Sequence, residues 1–105
     1  MTLSEQEFRL EADRALEALQ RALMPMADTD GFEVELQNGV LQVIFEEPVA
    51  AKFVVSPNAP VRQVWLSALS RSFKLPWDPA RAVFALEDET LEQLVKRLAA
   101  KQLGA

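Results

Sequence analysis

At 105 residues, half of them apolar and with a mean hydropathy of essentially zero, the chain is long enough for one buried core and too short for a second. It contains no cysteine, histidine or tyrosine, which excludes disulfide frameworks, thiolate and imidazole metal sites, Ser-His-Asp triads and histidine-ligated haem. A net charge of −5 and a pI near 4.7 argue against nonspecific nucleic-acid binding.

In chain order, the first element is a helix expected from Ser4 to Met24. Ser4 and Glu7 have the spacing of a capping box, Phe8, Ala12, Ala15, Leu16, Leu19 and Leu23 fall on one stripe, and Pro25 is read as the stop. On a helical wheel Glu7 and Glu11 lie on one flank of that stripe, Asp13 on the other, and Glu17 nearly opposite. A hairpin follows. Phe32 to Leu36 alternates strictly, Asn38-Gly39 is the preferred pair for a two-residue type I′ turn, and Val40 to Glu46 returns. That loop length pairs Leu36 with Leu41, Val34 with Val43 and Phe32 with Phe45, leaving Glu33, Glu35, Gln42 and Ile44 on the other face. A third strand is expected over Ala51 to Val55, closed by a turn at Ser56-Pro57-Asn58-Ala59-Pro60.

The next stretch, Pro60-Val61-Arg62-Gln63-Val64-Trp65-Leu66-Ser67, reads as a fourth strand. Period 2 puts Val64 and Leu66 on a covered face and Gln63, Trp65 and Ser67 on the opposite one. An uncovered indole beside an amide joins a large apolar area to specific polar contacts. Gln63 and Trp65 are therefore candidate contacts to a protein partner, with Lys52, Arg62 and Lys74 as flanking charge. Shorter strands are expected at Ser72 to Leu75 and Ala82 to Leu86, around Pro76-Trp77-Asp78-Pro79. A last helix is capped by Thr90 with Gln93 and ends near Gly104. The order α-β-β-β-β-β-β-α predicts a single α+β domain over 1–105, a two-layer sandwich with both helices on one face of an antiparallel sheet of about five or six strands.

Charge is unevenly spread. Through Glu47 there are eleven acidic and three basic side chains, whereas Pro48 to Leu86 holds one acidic against five basic. Carboxylates without histidine or cysteine hold cations through oxygen alone, loosely and with little selectivity. No apolar run of ~18 residues or signal-like segment is seen, so a soluble, cytoplasmic protein without membrane contact is expected.

Three motifs resemble the frataxin family. Asn38-Gly39-Val40-Leu41 is similar to its Gly-Val-Leu-Thr, and Pro60 to Ser67 to its Pro-x-(Lys/Arg/His)-Gln-(Ile/Val)-Trp-Leu-(Ser/Ala). Asp88 to Val95 is similar to its Asp-Gly-x-(Ser/Thr)-Leu-x-(Glu/Asp)-Leu-Leu. The resemblance implies the same sandwich and a part in iron–sulfur cluster assembly, with weak iron binding through an acidic ridge and docking onto a cysteine desulfurase–scaffold assembly. The ridge would map onto Glu7, Glu11, Glu17, Asp28, Asp30, Glu33 and Glu35. The docking surface would map onto Gln63 and Trp65, with Asn58 where the family often has Gln. Departures are Gln20 to Met24 in place of a dense acidic cluster, Ala82 in place of a second Trp, and Ala68-Leu69-Ser70-Arg71 in place of a Gly-rich link. A monomer is expected, with iron-driven oligomerisation open to it. Without histidine there is no di-iron Glu-x-x-His arrangement, so no enzymatic activity is assigned. The alternative is a small acidic chaperone, dimeric through a long apolar helix and without a metal role.

Overall fold

The computed structural model describes residues 3–104. Helix α1 (Glu5–Asp30) begins where its cap predicts: the Ser4 hydroxyl accepts from the Glu7 N–H at 3.1 Å, and the Glu7 carboxylate accepts from the Ser4 N–H at 2.9 Å. It does not stop at Met24. Pro25 lies inside the helix, on the exposed side with Arg21, whose carbonyl loses its partner where water can replace it. Meanwhile Leu19, Leu23 and Ala27 carry the buried stripe past the proline, so the packing that favours helix continues. Gly31 ends it at φ 78°, its N–H donating to the Ala27 carbonyl at 2.8 Å. Helix α2 (Leu91–Gln102) is capped reciprocally by Thr90 and Gln93, and buries Leu91, Leu94, Val95, Leu98 and Ala99.

Between the helices the chain forms one antiparallel meander: β1 (Glu33–Gln37), β2 (Val40–Phe45), β3 (Ala51–Asn58), β4 (Gln63–Ala68), β5 (Arg71–Asp78), β6 (Val83–Leu86) and β7 (Glu89–Thr90). The hairpin register is the expected one, with Leu36 opposite Leu41 and Val34 opposite Val43, and the Phe32 and Phe45 rings 4.8 Å apart. Both helices cover the face presenting Leu41, Val43, Phe53, Val55, Val64, Leu66 and Leu75, which together with the α1 and α2 stripes form one core. The sheet has one strand more than the sequence suggests, because Glu89–Thr90 pairs with β6 just before α2.

Two strands also run further than expected, each through a proline. Pro57 pairs with Val64 and Pro76 with Gln63, both on β4. The β2 ladder on β3 ends at Val55 and the β6 ladder on β5 begins at Trp77, so neither proline is asked to donate on its second side. The turn placed at Ser56–Pro60 is instead a single 3-10 turn at Ala59–Val61. Among the described residues no helix is long and apolar enough to cross a membrane.

Two of the tight hairpins solve one geometry with different residues. Asn38-Gly39 has φ 53° and 74°, and Leu69-Ser70, between the paired Ala68 and Arg71, has φ 52° and 62°. Asn-Gly suits this turn, whereas Leu-Ser holds two side chains in the left-handed region. Leu69 is compensated by packing against the core; Ser70 is exposed and gains nothing. The left-handed cost of about 1–2 kcal/mol exceeds the extra unfolded-chain entropy of glycine, about 0.4–1 kcal/mol. Ser70→Gly should therefore stabilise the protein by about 0.5–1 kcal/mol, read as a higher urea midpoint at unchanged slope.

Candidate functional site

Only one face of the sheet is covered, and register orders the other into rows. Asn58, Gln63 and Pro76 stand side by side across β3, β4 and β5; Ser56, Trp65 and Lys74 form the next row, and Val54, Ser67 and Ser72 the one after. Val64 and Leu66, the neighbours of Trp65 on its strand, are 0% and 1% exposed, whereas Trp65 is 36% exposed. Its indole is open but not loose. Nε1–H donates to Gln63 Oε1 at 2.9 Å, and the Lys74 ammonium lies 4.9 Å from the ring centroid, a cation–π contact worth about 0.5–1 kcal/mol at an exposed site.

The structure thus brings together Asn58, Gln63, Trp65 and Lys74. Lys52 shares the face but sits four residues before Ser56 on β3, about 13 Å from the Trp65 level at strand rise. Arg62 is spent on the fold. With φ 54° it closes the 3-10 turn, and its guanidinium donates to the carbonyls of Ala59 and, at 3.2 Å, Leu3. These bonds tie Leu3 to the β3–β4 connection.

The seven candidate carboxylates are not assembled into a cluster. Glu7 and Asp28 are 21 helical residues apart, about 32 Å at helix rise. Glu7 is engaged in its capping box, and those bonds to Ser4 hold its pKa below the ordinary value. Glu11, ion-paired with Arg14 at 3.7 Å, lines a cleft shared with Trp77, Phe84 and Leu91, on the α2 side of α1. Asp13 lines a separate cleft with Asn38, Gly39 and Pro57. Glu11 and Asp13 therefore mark opposite flanks, and the flank towards the β1–β2 hairpin carries Asp13 in place of Glu7 and Glu11. Its wheel position, across the stripe from Glu11, is the signal that could have added Asp13 to the candidates.

Asp28 and Asp30 occupy the last turn of α1, and Glu33 and Glu35 the open face of β1. Among the described residues no three carboxylates are grouped closely enough to hold a metal ion, so the donor set does not fit a preorganised iron site.

Helix-backed on one side and bare on the other, the molecule is an α+β sandwich with a single open sheet face. The family model for the Frataxin-like domain matches residues 1–105. The chain is 33% identical over 109 residues to the iron-sulfur cluster assembly protein CyaY of Ectopseudomonas mendocina, an alignment covering 100% of this chain and 94% of that one. It is 32% identical, with the same coverage, to the CyaY protein of Pseudomonas syringae pv. tomato. In fold it is similar to the solved frataxin of Psychromonas ingrahamii, with a TM-score of 0.71 at 18% identity over 95% of this chain and 91% of that one. The chain belongs to the frataxin-like family.

Proposed function

We propose that the protein is an accessory component of iron–sulfur cluster assembly that docks onto the cysteine desulfurase–scaffold assembly through its open sheet face, with Trp65 as the anchor. The observation that carries this reading is the state of the indole: more than a third exposed, yet held by Gln63 and Lys74. A large side chain ordered before contact loses less entropy on binding, which is how an exposed aromatic becomes an anchor. Asn58, adjacent to Gln63, adds an amide at the rim. The chaperone alternative needs a spare apolar helix face for its dimer, whereas the stripe of α2 is buried against its own sheet.

Iron enters as loosely held cargo. The last turn of α1 ends in the negative pole of the helix dipole, where Asp28 and Asp30 are unfavourable by about 0.3–1 kcal/mol each. A cation near that end relieves both, with Glu33 and Glu35 adding diffuse attraction. The test is a pull-down of the wild-type chain with a reconstituted desulfurase–scaffold pair, with and without Fe²⁺. Retention is expected in both conditions, and passage of the chain unretained in both would overturn the reading.

A further inference from the structure

Beside Trp65 the open face has a hollow of about 180 Å³, whose lining includes Ser56, Ser67, Ser72, Val54, Trp65 and Lys74 from the open face, together with Leu66 and Phe73. It exists because the row next to the indole is built from small side chains: Val54, Ser67 and Ser72 lie directly opposite one another. The pinned indole forms one wall, and the Lys74 ammonium leans over the ring.

Resting on the docking reading above, we infer that this hollow receives an acidic side chain of the partner, its methylenes against the indole and Val54 and its carboxylate on Lys74 and the serine hydroxyls. Three features favour this occupant. The charged group lining the hollow is cationic, and the positions around it on β3, β4 and β5 carry no acid. An ammonium has three donors, and a ring face engages it without accepting a conventional hydrogen bond. The hydroxyls donate as readily as they accept, so an acceptor-only carboxylate can be met on several sides. In a chain of net charge −5 this is a locally positive patch, and an acidic partner group is guided to it while other acids are repelled elsewhere.

Binding of the reconstituted desulfurase–scaffold assembly is to be measured by calorimetry at low salt and at about 0.3 M NaCl, where the screening length falls below 10 Å. Lys74→Met, which keeps the stem and removes the charge, should weaken binding about tenfold at low salt and less at high salt. Lys74→Arg should stay within about twofold of wild type because its fork still meets a carboxylate. Ser67→Val with Ser72→Val, which fills the hollow with residues suited to a strand, should also weaken binding. Unchanged or tighter binding by the Met and Val variants would overturn the inference, since an apolar side chain would then be the better guest. If those variants bind normally while Trp65→Ala does not, the acidic occupant alone fails; if Trp65→Ala also binds normally, the docking face itself fails.

Discussion

Replacing Phe84 with alanine is expected to lower the unfolding free energy by about 3–5 kcal/mol, measured as a fall in the urea midpoint. Phe84 is 1% exposed and stands between two rings: Phe8 of α1 edge-on at 5.7 Å, and Trp77 of β5 at 5.1 Å. It joins the N-terminal helix to β5. Strand β6 needs that packing, because its ladder is thin, with two residue pairs to β5 and two to β7. The cleft lined by Ala15, Ala18 and Ala82 already adjoins the ring, so the space left by truncation would open to water. A wetted cavity places the loss in the lower half of that range. Against a total stability of about 5–15 kcal/mol for a small domain, even 3 kcal/mol is a large share. A loss under about 1 kcal/mol would mean that Trp77 moves in to fill the site.

Where an element's own chemistry decided its structure, the residues announced it. Ser4 and Glu7 cap α1, Thr90 and Gln93 cap α2, and Asn38-Gly39 sets the register of the first hairpin, each a local pattern with a local cause. The three prolines at 25, 57 and 76 were misleading for a common reason. A proline's penalty depends on whether its missing N–H faces a partner, and that is decided by neighbours distant in sequence. Pro25 faces water, while Pro57 and Pro76 lie beyond the end of one flanking ladder. Strand β7 is two residues long, too short to show any periodicity. The turn at Leu69-Ser70 carries neither Gly nor Asn, so its geometry is imposed by the register of β4 on β5.

The candidate site divides in the same way. Alternation alone placed Trp65 on the face opposite Val64 and Leu66, because a strand has just two sides. The acidic residues of α1 were harder, since a helix has a continuous surface and the wheel does not say which flank faces β1. That is a tertiary fact: Glu11 lies towards α2, Asp13 towards the β1–β2 turn. The carboxylates are accordingly spread over two flanks and some 30 Å of helix, estimated from the rise per residue. Arg62 was unreadable for a different reason. Its left-handed backbone closes the 3-10 turn, and its guanidinium donates to the Ala59 and Leu3 carbonyls, which makes a nominal surface cation part of the turn.

On the docking reading proposed above, Trp65→Ala is expected to weaken binding to the desulfurase–scaffold assembly by at least about thirtyfold, or about 2 kcal/mol, the level that defines an anchor residue. Folding stability should change by no more than about 1 kcal/mol, the span of strand propensities and cross-strand pairs on a solvated face. The separation of the two effects follows from the pleat. The core beneath the indole is built by Val64, Leu66 and Leu75, all buried on the helix side, and truncating Trp65 opens no cavity among them. What is lost is the area offered to a partner, the Nε1–H bond to Gln63 and the ring under Lys74. Trp65→Phe should fall between, because it keeps an aromatic face for Lys74 but cannot donate to Gln63. Calorimetric titration alongside a urea melt of the same variants separates the outcomes. A variant that loses 3 kcal/mol or more of stability, roughly the cost of truncating a core aromatic, while still binding normally would assign the indole to the scaffold of the sheet and not to its docking face.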